Sequence, residues 1–171
     1  GHEKVVHALG QLSADVDESI KLLAIKGIAE VAVRGSAEAK DALMDRLKTE
    51  GRRLRRDSVL ALGEVVDGHD KAGIMSLIAC LEDPDEVVKS HAVAAVLATC
   101  DKGDSEILRN VLSNQFRHQD RKVRESANQL VMGLSHAGDP MVLSRLYECF
   151  SDEVAAIRKS ACEIVSAIAV P

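Results

Sequence analysis

The sequence predicts an all-α fold, an α-solenoid of five helical hairpins with about ten helices in 171 residues. Three observations carry that prediction. Ile20, Leu54, Val88, Val123 and Ile157 recur at intervals of 34, 34, 35 and 34 residues, and a fixed period of this length marks a repeat array. Each of these anchors is followed at once by a base (Lys21, Arg55, Lys89, Arg124, Arg158) and four residues on by a small side chain (Ala24, Ser58, Ala92, Ala127, Ala161). Apolar or small residues return at 0, +4, +7, +8 and +11 from the anchor, the stripe of one buried helix face.

The second helix of each hairpin carries that stripe. Its +8 positions are Ile28, Leu62, Val96, Val131 and Val165, and its +11 positions are Val31, Val65, Thr99, Leu134 and Ile168, with Thr99 the one polar member. The first helix lies upstream. Eleven residues before the anchor stand Leu9, Leu43, Leu77, Leu112 and Leu146; seven before it stand Leu47, Leu81, Phe116 and Phe150, with Ser13 in the first unit. Gly35, Gly68, Gly103 and Gly138 follow the anchors by 14 or 15 residues, where a helix stop takes a left-handed residue. Asp139-Pro140 reads as a carboxylate cap before a proline of the first helical turn, and Asp83-Pro84 as a start or turn inside the third unit. A two-helix unit cannot bury both faces alone, so the units stack. The expectation is a single repeat domain over 1–171, with units at approximately 1–34, 35–68, 69–103, 104–138 and 139–171. Ile164 and Ile168 leave the closing unit without a polar cap, so a fragment of a longer array is expected.

Composition narrows the function classes. Apolar residues make up 46% and charged residues 29%, which is globular rather than disordered. With 22 bases against 27 acids the chain carries −5, which argues against a general nucleic-acid or membrane-surface binder. Aromatics are 2%, namely Phe116, Tyr147 and Phe150, so an interface built on aromatic anchors is not expected. Cys80, Cys100, Cys149 and Cys162 lack CxxC spacing and sit in helical patterns, the setting of buried reduced thiols rather than of zinc or disulfides. No signal peptide or transmembrane run is seen, so an intracellular setting (cytoplasmic, nuclear or organelle matrix) is expected.

The turns before the second helices carry a recognisable signature. Asp15-Val16-Asp17-Glu18-Ser19-Ile20-Lys21, Asp83-Pro84-Asp85-Glu86-Val87-Val88-Lys89, Asp120-Arg121-Lys122-Val123-Arg124 and Ile157-Arg158-Lys159-Ser160-Ala161 resemble the acidic-turn, Val-Arg, small-residue pattern of HEAT repeats, most like the short HEAT-like repeats of the bilin-lyase type. The resemblance covers essentially the whole chain. It implies a HEAT/armadillo-like superhelix and a protein-binding scaffold whose second helices line a concave face. Tetratricopeptide repeats share the period, but their Trp-Leu-Gly and Tyr landmarks are missing, as is the Thr-Pro-Leu-His turn of ankyrin units. HEAT-like di-iron hydroxylases carry His-Glu pairs just after the anchor; here those slots hold Leu22-Leu23, Arg56-Asp57, Ser90-His91, Glu125-Ser126 and Lys159-Ser160. A HEAT-like DNA glycosylase would want a basic channel and a Trp. Ser, His and Asp are scattered without a nucleophile elbow or glycine loop, so no enzyme, metal or cofactor is expected.

Two sets of residues are left as candidates. The first is a structural ladder in which an acid of one turn reaches the base of the next unit: Asp17 to Arg55, Glu50 to Lys89, Asp85 to Arg124 and Asp120 to Arg158, with Lys21 as the first base of the series. The second is a partner-binding surface. The turns alternate in charge, acidic at Asp15, Asp17 and Glu18, basic at Arg52, Arg53, Arg55 and Arg56, then acidic, basic and acidic again. Arg52, Arg53, Arg56, Arg121 and Lys122 are candidates for an acidic or phosphorylated partner. Leu22, Leu60, Leu97 and Met132 form a thin apolar trail on the presumed concave face. The function expected is a non-enzymatic protein–protein interaction scaffold for a protein or peptide. The alternative is an auxiliary subunit or chaperone-like partner of a cofactor-loaded protein, which is implied by the bilin-lyase resemblance alone; a nucleic-acid or phosphate scaffold using the Arg-rich turns comes third.

Overall fold

The structure, a computed structural model, describes residues 2–49 and 51–169. Among them every regular element is helical, with ten α-helices, three of them running into a short 3-10 turn, and no strand. The chain divides into two compact units, residues 1–99 and 100–171.

In the first unit α1 (His2–Leu12) pairs with α2 (Glu18–Val31), α3 (Ala37–Leu47) with α4 (Arg52–Val65), and α5 (Lys71–Ala79) with α6 (Glu86–Thr99). The second helices α2, α4 and α6 pack side by side, as do α1, α3 and α5. In the second unit α7 (Ser105–Ser113) pairs with α8 (Arg121–Leu134) and α9 (Pro140–Glu148) with α10 (Ala155–Ile168). The starts follow from local chemistry. Asp17, Ser36, Asp70, Asp104, Asp120 and Asp139 each turn a side-chain oxygen onto an N–H of the first helical turn, and Pro140 occupies that turn as expected. Helices α4 and α10 start at Gly51 and Val154 without a side-chain cap.

The stripe is the core. At +4 Ala24, Ser58, Ala92, Ala127 and Ala161 are all buried, which lets the helices close on one another. Leu62, Val96 and Val131 at +8 are fully buried, each worth about 2 kcal/mol of transfer free energy. Helices α4 and α6 approach closely: a Cβ at Gly63 would lie 2.8 Å from the Ala95 Cβ. Leu54, Val88, Val123 and Ile157 are buried, whereas Ile20, the same position in the first hairpin, is 38% exposed.

Hairpin exits are stitched to the following second helix. The left-handed glycines Gly35 (φ 88°), Gly103 (φ 81°) and Gly138 (φ 73°) donate their N–H groups to the carbonyls of Val65, Leu134 and Ile168, each at 2.7 Å. Gly68 departs from the expectation and is not left-handed. There the Asp67 carboxylate accepts the N–H groups of His69 (2.8 Å) and Asp70 (3.1 Å), so a side chain holds the turn instead. The cysteines are all free, and Cys80, Cys100 and Cys149 are buried. Cys162 is exposed, contrary to expectation, although Val59 and Val93 at the same position of α4 and α6 are buried.

Candidate functional site

Where the base after the anchor is an arginine, it serves its own turn. Arg55 Nη1 donates to the Thr49 carbonyl at 3.0 Å, Arg124 Nη1 to those of His118 and Gln119 at 2.8 Å, and Arg158 Nη1 to those of Asp152 (2.7 Å) and Glu153 (3.0 Å). These carbonyls close the turn after the first helix, where helical acceptors run out of partners. With Nη1 held, Arg55 presents its Nε and Nη2 edge to Asp83 at 2.7 and 3.1 Å. Next to it Arg56 grips Asp85 with the same fork, at 2.8 and 2.7 Å, and Arg52 lies 3.7 Å from the same carboxylate.

This reverses the expected ladder. The base of the second repeat reaches forward to the acids of the third turn, and Asp17 does not take Arg55. Asp17 instead caps its own helix through the Ser19 N–H, which, with the Ile20 N–H, holds its carboxyl below the ordinary value. Asp85 is engaged by Arg56 rather than set aside for Arg124. Lys89 is almost fully buried and its Nζ meets Glu86 at 3.0 Å; the expected partner Glu50 lies outside the described residues. Asp120 caps α8 through the Lys122 N–H, and Arg158 turns to its own carbonyls. The physical reason is shared. A carboxylate just before a helix is drawn to that helix's N–H groups, and an arginine just inside it is drawn to the turn behind.

Charge at this joint is largely internal. The Arg56 fork holds the Asp85 carboxyl down to about 2, and the hydrogen bond to Asp83 raises the Arg55 guanidinium. Lys40 meets Asp70 at 2.9 Å, a pair the sequence reading missed. Burial pushes the Asp70 carboxyl up, but the Gly73 N–H and Lys40 together bring it below its ordinary value. In the second unit Arg121 and Lys122 both lie on Glu125, at 2.7 and 3.2 Å, and pull its carboxyl down. Arg117 stands 3.7 Å from Asp152 and donates to the Cys149 sulfur at 3.4 Å. Of the basic candidates, only Arg53 has neither an ion pair nor a side-chain hydrogen bond among the described residues, and it is exposed.

The apolar candidates divide. Leu60 on α4 is 49% exposed, Leu97 on α6 is 38% exposed and Met132 on α8 is 43% exposed, at +6, +9 and +9 from their anchors. Leu22 at +2 is buried instead: this position borders the stripe, so a leucine there turns inward, whereas Lys159 extends outward. Leu23, which was not singled out, is 69% exposed. Between α8 and α10 a cleft of about 410 Å³ is lined by Glu125, Asn128, Lys159 and Glu163, and Asn128 Nδ2 donates across it to Ser160 Oγ at 2.9 Å. No group of three or more His, Cys, Asp or Glu among the described residues is placed to hold a metal ion. No described helix is long and apolar enough to cross a membrane.

Comparison with known proteins gives a family and a fold. Residues 5–98 match the family of HEAT repeats. Among solved structures, a designed armadillo repeat protein in complex with the peptide (KR)4 is similar at TM-score 0.58 and 16% identity, over 98% of this chain and 87% of that one. An archaeal HEAT-like repeats protein from Thermococcus onnurineus NA1 is similar at TM-score 0.59 and 16% identity, over 97% of this chain and 71% of that one. The CpcE–CpcF complex of phycocyanin lyase from Nostoc sp. PCC7120 contains a chain similar at TM-score 0.56 and 21% identity, over 98% of this chain and 65% of that one. No curated protein sequence gives a significant match.

Proposed function

Since the chain belongs to the HEAT-repeat family, we propose that it is a non-enzymatic interaction scaffold that holds a protein or peptide against the exposed face of its second helices. One observation carries the reading: Leu60 and Leu97 stand exposed on the neighbouring second helices α4 and α6 of the first unit, away from the buried stripe, and Met132 is exposed on α8 of the second. Exposed apolar side chains of this kind on second helices are what a docked helix or extended peptide would cover. The peptide bound to the designed armadillo protein supports such a use of the fold. The phosphate or nucleic-acid reading has less support, because Arg52, Arg56, Arg121 and Lys122 already lie on Asp85 and Glu125. The auxiliary-subunit reading shares only a fold with the phycocyanin lyase chain.

The test is affinity capture with the chain as bait, beside a Leu60→Asp/Leu97→Asp variant and an Arg53→Ala/Arg121→Ala variant. The partner is then purified and its affinity measured directly. Binding that survives a rise from about 50 to about 500 mM salt and is lost with the leucines supports the scaffold reading. Binding that is salt-labile and depends on the arginines refutes it in favour of the phosphate reading.

A further inference from the structure

Five residues past the anchor, the second helices of the first unit carry an apolar side chain that packing closes: Ile25, Val59 and Val93 are all buried. In α8 that place holds Asn128. Its Nδ2 donates to Ser160 Oγ on α10 at 2.9 Å, while its Oδ1 lies out of water with no hydrogen-bond partner among the described residues. An acceptor taken from water and left unbonded is a standing cost that the valines of α4 and α6 do not carry. Helix packing therefore does not account for an asparagine here.

Asn128 and Ser160 both line the cleft of about 410 Å³ between α8 and α10, inside the second unit. The Ser160 hydroxyl accepts from Asn128 and keeps its own proton to give. The pair thus offers one acceptor and one donor side by side, and turning the carboxamide over only exchanges the two roles. The charges around the pair are engaged. Arg121 and Lys122 lie on Glu125, Arg124 Nη1 on the carbonyls of His118 and Gln119, and Lys159 stands 3.7 Å from Glu163.

Such a site suits a neutral guest that brings both an N–H and a C=O. A residue in an extended chain turns these two groups to the same side, as it does in an antiparallel ladder. In a helix both are consumed internally. Met132 lies one turn on from Asn128 along α8 and is 43% exposed, so an apolar side chain of the same guest has a surface to rest on.

We propose that the α8–α10 cleft reads the main chain of an extended peptide. One residue of the peptide donates its N–H to Asn128 Oδ1 and accepts the Ser160 hydroxyl proton at its C=O, and an adjoining apolar side chain leans on Met132. Lys159 and Glu163, 78% and 58% exposed, are the side chains of the cleft that give way to it. The site rests on the scaffold reading and deepens it, by making the partner an extended segment rather than a docked helix.

The probe is an alanine-leucine-alanine tripeptide with acetyl and N-methylamide caps, titrated into the isotope-labelled full chain from about 0.1 to about 20 mM. Amide NMR spectra report where it binds. A saturable shift of the Asn128 side-chain amide signals is expected. Analogues with each N–H in turn replaced by an ester oxygen show which donor is read, and one of them should bind at least about threefold more weakly. Asn128→Val and Ser160→Ala should weaken the wild-type peptide to the same degree. Because it restores the residue type of α4 and α6, Asn128→Val should unfold in urea no earlier than the wild type. Leu60→Asp/Leu97→Asp should leave the titration unchanged. Absence of a saturable shift, equal binding of all the ester analogues, or binding indifferent to Asn128→Val overturns the proposal. So does an Asn128→Val chain less stable than the wild type, the mark of a purely structural fastener. Shifts confined to the signals of Leu60 and Leu97 overturn this site while the scaffold reading stands.

Discussion

One substitution at three glycines should give three different outcomes, because Gly10, Gly35 and Gly63 are glycine for different reasons. Gly10 lies inside α1, and a Cβ there would be 3.6 Å from the Ala42 Cβ, an ordinary contact. Gly10→Ala should therefore stabilise the first unit by about 0.5 to 1 kcal/mol through helix propensity and a less flexible unfolded chain. Gly35 is left-handed, and a Cβ there would be 2.8 Å from the Asp67 Oδ2. An L-residue in that conformation costs about 1 to 2 kcal/mol before the carboxylate moves, so Gly35→Ala should destabilise by about 2 kcal/mol. Gly63 has the same helical gain available as Gly10, but its Cβ would meet the Ala95 Cβ at 2.8 Å. Forcing α4 and α6 apart costs about 1 to 3 kcal/mol, which outweighs the gain and leaves a net loss of about 1 to 2 kcal/mol.

Urea unfolding followed by far-UV circular dichroism is the assay, since the chain has no Trp to report on packing. At an m-value of about 2 kcal/mol/M the expected midpoint shifts are about +0.3 M for Gly10→Ala, −1 M for Gly35→Ala and −0.7 M for Gly63→Ala. A Gly63→Ala variant stabilised as much as Gly10→Ala would mean that α4 and α6 do not meet at that residue. The face carrying Leu60 and Leu97 would then be built differently. A neutral Gly35→Ala would remove the stitch to Val65.

Two further outcomes follow from the charges and thiols. Arg56 holds the Asp85 carboxyl from an ordinary 3.8 down to about 2, so the stability this pair supplies is fully present above about pH 4 and is lost as pH falls toward 2. Arg56→Gln should flatten the dependence of the urea midpoint on pH in that window; an unchanged slope would show that the pair does not form. Among the four cysteines, Cys162 should react first with a thiol reagent at about pH 8. Burial pushes the Cys80 thiol up to about 12, so it should label only in denaturant, as peptide mapping would reveal. Early labelling of Cys80 would contradict its packing in the native chain.

Periodicity made the helices legible because a recurrent stripe reports which face is buried, whatever buries it. The small residues at +4 told of close helix approach for the same reason. Gly68 was also legible on a stricter count: Gly35, Gly103 and Gly138 follow their anchors by 15 residues and Gly68 by 14, so it never held the left-handed place. The ladder was not legible. A period places each acid and base relative to its own helix, and Arg55 has an acidic turn within reach of either neighbouring repeat in principle. The choice depends on the Thr49 carbonyl capturing one nitrogen of the fork, a backbone contact that residue spacing does not encode. Exposure escapes the period too, since Ile20 and Val88 are the same position in sequence and differ from 38% to 0% in solvent.

That difference also assigns roles along the chain. Where base and acid meet at a joint, as at Arg55–Asp83 and Arg56–Asp85, both charges are taken up in positioning one helix against the next, and a substitution there reads out as stability. Residues that fall outside the code, Leu60 and Leu97 in the first unit and Met132 in the second, stabilise no joint and owe nothing to the period. Changing them should alter what the scaffold binds while leaving its unfolding midpoint almost where it was, within about 0.5 kcal/mol.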